Sequence, residues 1–395
     1  MNDDRLKRRS DELGPTMVGW RRELHQHPEL GFEERRTAAF VAARLEELGL
    51  EIKTGLAVTG VVGVLRAARP DGPAVLLRAD MDGLPIQEVE GREYGSKVAG
   101  RMHACGHDGH MAMLLGAATM LVDEAEALRR DVVFCFQPGE EGMGGAKRML
   151  DDGLLDWVEI GSAYALHLWS PFACGGVWVR SGPIMAAQDE FTARIVGSGG
   201  HGAEPHSTRD PIVAASQAVT ALQSIVSRSI DPLEAAVVTI GSLHAGSAAN
   251  IIPDEAELVG TMRSFTEEVR ETLRTRLREV LDGVARAAGC RLKLDLRHGY
   301  PATVNDARAV ETARRAAGRA FGEANVHEPA PLAASEDFSY ILRERPGAFV
   351  LVGAGNAERE ITAPHHSPRF DIDESALPRG AEMLTRIALE GGSAG

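Results

Sequence analysis

At 395 residues, 44% hydrophobic and 25% charged, the chain has the make-up of a globular protein too long for one core, so two domains are expected. Its net charge of −14, with no block of Lys or Arg, argues against nucleic acid or an anionic membrane as partner. Four cysteines (Cys105, Cys135, Cys174 and Cys290) do not make a disulfide framework. No apolar stretch follows the charged start, and no apolar run reaches the ~18 residues of a membrane span, so a reducing cytoplasm is the expected location.

In chain order, helical periodicity appears over 34–48 and 109–122. Runs rich in Val, Leu and Ile predict strands at 61–66, 74–80, 132–136, 163–168 and 175–180. Strands separated by helices predict a largely buried, partly parallel sheet of α/β type. The stretch 188–300 reads differently, as strand 190–196, helix 210–230, strands 236–243 and 256–265, helix 267–288 and strand 291–297. That βαββαβ order is the ferredoxin-like pattern. A helix at 306–321, a strand at 348–352 and a helix at 374–390 then resume the first style. The expectation is a discontinuous catalytic domain in two parts, 1–187 and 301–395, with a compact second domain inserted at 188–300. The Gly-Gly-Ser-Ala-Gly tail is expected to fray.

Five scattered segments each hold residues that a divalent cation favours. The densest is Met102-His103-Ala104-Cys105-Gly106-His107-Asp108-Gly109-His110. The others are Arg78-Ala79-Asp80-Met81-Asp82-Gly83-Leu84-Pro85, Gln137-Pro138-Gly139-Glu140-Glu141-Gly142, Leu166-His167-Leu168 and His365-His366-Ser367-Pro368. A thiol, imidazoles and paired carboxylates together suit a Zn²⁺- or Mn²⁺-type site with mixed donors. A closed structural zinc site has no use for a Glu-Glu pair, so the arrangement reads as catalytic. Several of these residues follow predicted strands, and open α/β sheets bind ligands beyond the carboxyl ends of their strands.

Together with His25-Gln26-His27-Pro28-Glu29-Leu30-Gly31, Gly199-Gly200-His201-Gly202, Asn250-Ile251-Ile252-Pro253 and Ser335-Glu336-Asp337-Phe338, these motifs resemble the M20 family of dinuclear metallohydrolases. Within it they resemble the amidohydrolases of N-acyl amino acids: hippurate hydrolases, auxin-conjugate hydrolases and related aminoacylases. The resemblance implies a metallo-exopeptidase-like catalytic domain, a mixed sheet flanked by helices, with an inserted lid that also serves dimerisation. It implies two divalent metal ions per subunit, Zn²⁺ or Mn²⁺ with Co²⁺ or Ni²⁺ open, on Cys105, His107, Glu141, His167 and His366. Which ligand serves which metal, and whether Cys105 bridges, stays open.

The same resemblance makes Glu140 the general base. Neighbouring residues on an extended segment point opposite ways, so Glu141 is able to face a metal while Glu140 faces the reacting water. Asp82 is implied as the carboxylate that orients a ligand imidazole. His201 is implied as the lid histidine that holds the oxyanion, in its own or a neighbouring subunit, and Asn250 and Arg263 as the grip on the substrate carboxylate. Arg263 is equally suited to an ion pair within the lid, and Asp80 is as readily structural as functional. His366 fits the spacing better than His365. His25, His27, His103 and His110 read as fold-supporting.

The expected activity is cleavage of an N-acyl or N-aroyl amino acid to a carboxylic acid and a free amino acid, by a homodimer or higher homo-oligomer formed through the lid. An N-acetyl-diamino-acid deacetylase or a dipeptidase is the nearest rival. A metal-binding regulatory protein on the same scaffold is the rival from another class.

Overall fold

The computed structural model describes residues 3–390; the tail expected to fray lies outside them. The chain forms two compact units. One comprises Met1–Ile184, Val304–Ala330 and Asp337–Gly395, the other Met185–Thr303 and Pro331–Glu336. The short segment Pro331–Glu336 therefore goes with the second unit, although the sequence reading put it with the C-terminal part.

The first unit opens with helices α1 (Asp3–Gln26) and α2 (Arg35–Glu47), then strands β1 (Glu51–Leu56), β2 (Gly60–Leu65) and β3 (Ala74–Asp80). Helix α3 (His107–Asp123), β4 (Val132–Gln137), α4 (Gly145–Asp151), β5 (Ile160–Ala173) and β6 (Val177–Trp178) follow. Among the described residues these build a mixed eight-stranded sheet in the order β1-β2-β4-β3-β5, then Gly347–Gly355, β6 and Val326–His327. β4, β3, β5 and Gly347–Gly355 run parallel. Every residue of β3, β4 and Gly347–Gly355 is buried, which is why these strands read as continuous apolar runs rather than alternating ones. Helices α1, α3 and Ala376–Glu390 pack on one another. Met111, Met113, Leu114 and Leu115 of α3 are all at 0–1% exposure, and each such burial contributes about 1.5–3 kcal/mol.

The strand expected at 163–168 runs from Ile160 to Ala173, straight through Pro171. The pairing with Gly347–Gly355 slips between Gly353 and Gly355, opposite this proline, so an irregularity absorbs the missing N–H. The strand expected at 175–180 shrinks to Val177–Trp178.

The second unit contains β7 (Ala187–Val196), α5 (Pro211–Ser229), β8 (Ala236–Ala245), β9 (Glu255–Ser264), α6 (Glu267–Ala287) and β10 (Arg291–His298). Its sheet has the antiparallel order β8-β9-β7-β10, the ferredoxin-like arrangement expected from the sequence. Phe191, Ala193 and Ile195 alternate inward from β7 against α5 and α6. Asp210 caps α5, with Pro211 in its first turn, and Thr266 caps α6. Asp189, buried in β7, accepts from both Arg270 and Arg274 and ties α6 to the sheet.

Candidate active site

Three parallel strands and one helix deliver the chemistry-bearing residues of the first unit to one place. β3 ends at Asp80, and Asp82 follows; β4 ends at Gln137, and Pro138–Glu141 follow. His167 lies inside β5, two residues past Ala165, where the pairing with β3 stops at Arg78. Gly106, at φ +91, turns the chain sharply into α3 and places Cys105 and His107 on either side of the turn. His366 reaches the site from the C-terminal part, itself at φ +61, a sparsely populated backbone region for a residue with a Cβ. Its amide donates to the Ala104 carbonyl at 2.8 Å.

Ligand atoms of Cys105, His107 and His167 lie within 4.8 Å of one another, as do those of Cys105, Glu141 and His366, and of His107, Glu140 and Glu141. Cys105 Sγ is 3.6 Å from His167 Nε2, and His366 Nε2 is 3.2 Å from Glu141 Oε1. The tautomers follow from the partners. His107 Nδ1 donates to the Asp82 carbonyl and His167 Nδ1 to the Leu168 carbonyl, each at 2.8 Å. Both rings thus present Nε2 to the cluster, the atom through which an imidazole held in this way binds a metal once that nitrogen is unprotonated. His107 Nε2 and Glu141 Oε1 are buried and make no hydrogen bond among the described residues. A divalent cation suits such orphaned donors, so the residues fit the group.

His110 is different. The Leu168 amide donates to its Nε2 at 2.8 Å, which leaves Nδ1 to donate to Asp80 at 2.6 Å. Asp80 also accepts from Arg78 at 2.8 Å, so both residues are occupied as supports. Arg78 donates further to Gln137 and Asp337, and Asp337 accepts from Gln137 and from the Ala146 amide. This buried network fixes the ends of β3 and β4. His365, next to His366, donates Nε2 to the Leu168 carbonyl and packs its ring, tilted, against Trp169 with centroids 4.4 Å apart.

Asp82 does more than the sequence suggested. His107 Nδ1 donates to its backbone carbonyl, and its carboxylate lies farther from that nitrogen, at 3.4 Å. The carboxylate instead takes the amides of Glu140 and Glu141, one per oxygen.

The electrostatics mark a site short of positive charge. Burial lowers the His107 imidazole, yet the Asp80, Asp82 and Glu141 carboxylates outweigh it and raise the group to about 10. Burial, then Glu141, Glu140 and Asp80, push the Cys105 thiol well above its ordinary range, so a thiolate there needs a cation beside it.

His201, Asn250 and Arg263 belong to the second unit. His201 is exposed and pairs in register with Ile251, next to exposed Asn250, whose carbonyl accepts the Gly202 amide at 2.8 Å. Arg263, half-buried on β9, donates to Thr261 and to the Met262 carbonyl, and no ion pair of Arg263 is present among the described residues.

Residues 76–390 match the peptidase family M20/M25/M40 pattern. The chain belongs to that family. It is 43% identical over 382 residues to "IAA-amino acid hydrolase ILR1-like 4" of Arabidopsis thaliana, covering 95% of this chain and 86% of the relative. It is 40% identical over 376 residues to the N-acetyl-L-cysteine deacetylase of Bacillus subtilis (strain 168), covering 95% and 88%. Its fold matches the crystal structure of the Bacillus subtilis YXEP protein, a dinuclear metal binding peptidase from the M20 family, with a TM-score of 0.86 and 33% identity over 97% and 99% of the two chains. This M20 protein therefore stands with the amidohydrolases of its family. None of its described helices is long and apolar enough to cross a membrane.

Proposed function

We propose that this M20 amidohydrolase cleaves the amide of an N-acyl or N-aroyl amino acid, releasing a carboxylic acid and a free amino acid. The observation that carries the reading is the gathering of Cys105, His107, Glu141 and His366 with His167, while Glu140 sits beside them on the same turn. The amide substrates in the names of the plant hydrolase and the bacterial deacetylase support the same bond class.

Cys105, His107, Glu141, His167 and His366 would hold two divalent cations, Zn²⁺ or Mn²⁺ with Co²⁺ and Ni²⁺ as alternatives; Cys105 is shared by two of the candidate groups. Such cations polarise an amide carbonyl and lower the pKa of water. Glu140 takes the proton of the attacking water and returns it to the departing amine nitrogen. The Asp82 carboxylate holds the Glu140–Glu141 turn by its amides while the Asp82 carbonyl holds His107 in its Nε2 ligand tautomer. His201 supplies a hydrogen bond to the oxyanion, from its own or a partner subunit in a homodimer or higher homo-oligomer formed through the second unit. Asn250 and Arg263 bind the substrate's carboxylate; the Arg263 guanidinium has no carboxylate partner among the described residues and is suited to a bidentate one. Four unbridged cysteines agree with a cytoplasmic site of action.

The test is amine release from hippurate, N-acetyl-L-methionine and a wider acyl-amino-acid panel, before and after chelation and with each metal added back. Chelator-sensitive release restored by metal is expected. No release by protein confirmed to carry metal would contradict the proposal.

A further inference from the structure

Three backbone amides in succession on the Glu140 turn are gripped by carboxylates. Glu140 and Glu141 use Asp82, and the first of the three, Gly139, donates to Glu34 Oε1 at 2.9 Å. Glu34 has no exposed surface, and its other oxygen accepts from the Thr59 hydroxyl at 2.6 Å. It occupies the residue just before α2, where a polar side chain ordinarily caps its own helix, yet it makes no such hydrogen bond. The side chain is turned away from its helix and spent on the turn.

The segment around it is fitted to the same place. Gly83 donates to the Glu29 carbonyl at 2.7 Å, and Leu30 bridges Gly83. Phe32 holds φ +64 with its ring against Gly139, where an added Cβ would meet it at 2.9 Å. Burial pushes the Glu34 carboxyl up to about 7 against the pull of its hydrogen bonds, so keeping an acid here costs stability.

We propose that Glu34 is a positioning residue of the hydrolysis reaction: through the Gly139 amide it sets where the Glu140 carboxylate stands, as Asp82 does through the next two amides. The inference rests on Glu140 being the base.

Glu34→Leu, Glu34→Gln and Glu140→Gln, loaded with Mn²⁺ or Zn²⁺ and assayed on N-acetyl-L-methionine or hippurate, whichever the wild type cleaves, test it. Glu34→Leu is expected to lower kcat by about 10- to 100-fold with KM and metal content little changed, since small displacements of a catalytic group carry costs of that order. Glu34→Gln, whose amide oxygen still accepts the Gly139 N–H, recovers most of kcat. Wild-type kcat in Glu34→Leu, a kcat loss matched by metal loss, or a Glu34→Gln no better than Glu34→Leu would overturn the proposal. Should Glu34→Leu not fold, Glu34→Asp decides: one methylene shorter, it cannot reach both Gly139 and Thr59, so reduced kcat supports the proposal and wild-type kcat overturns it. Near-normal turnover in Glu140→Gln sinks the base assignment instead, whereas lost turnover there beside a normal Glu34→Leu sinks this inference alone.

Discussion

Asp82 Oδ1 accepts the Glu140 amide at 3.0 Å, and Oδ2 of the same carboxylate accepts the Glu141 amide at 3.0 Å. One buried carboxylate thus sets the spacing of the two glutamates to which the proposed mechanism gives different duties. Asp82→Asn turns one acceptor into an NH₂ that faces a backbone N–H, donor against donor. The His107 hydrogen bond, made to the Asp82 backbone, survives. The expected outcome is a kcat about 10- to 100-fold lower, with metal content reduced less than in a Glu141 variant. Steady-state kinetics beside metal analysis checks it; wild-type kcat contradicts it.

Arg21 has no exposed surface and pairs with Asp108 and Asp371 at 2.8 Å and with Glu374 at 3.2 Å. Arg21→Met would leave Asp108 buried, with His25 as its remaining partner of opposite charge. Breaking a buried ion pair on one side costs about 3–5 kcal/mol, so a marked drop in denaturant midpoint is expected. A midpoint within experimental error of wild type would show that the cluster adds nothing to stability.

His103 is buried with neither ring nitrogen hydrogen-bonded among the described residues, and burial pulls it from its ordinary 6.5 down to about 4. The folded state therefore prefers the neutral ring. The sign follows: stability is full above pH 6.5 and is lost as pH falls toward 4, because the unfolded chain takes up the proton first. Between pH 7 and 4, metal-free wild type should lose on the order of 3 kcal/mol more than His103→Phe. Urea melts at both pH values measure this, and parallel pH dependences would contradict it.

Much of this was legible in the sequence because the signals were local. Buried parallel strands announce themselves as unbroken apolar runs such as Ala74-Val75-Leu76-Leu77, and the second unit's strands and helices carry clear caps at Asp210 and Thr266. The family motifs carried the candidate ligands by residue number. What stayed hidden depended on contacts between distant segments. Glu34 looks like one charge among Glu33, Arg35 and Arg36 until Gly139 folds onto it. His110 and Asp80 resemble ligands by type, and only the Leu168 amide and Arg78 show them already engaged. The passage of β5 through Pro171 broke a local rule that a slip in pairing repairs.

The adjacent carboxylates Glu140 and Glu141 give the most direct test of the central claim, that one glutamate serves the reaction and its neighbour the metals. Bound metal per chain and turnover are to be measured side by side in Glu140→Gln and Glu141→Gln. Glu140→Gln is expected to keep the wild-type complement of about two ions and lose turnover by about 10²- to 10⁴-fold, while Glu141→Gln loses metal. Equal metal content in the two variants, or near-normal turnover in Glu140→Gln, would contradict the account.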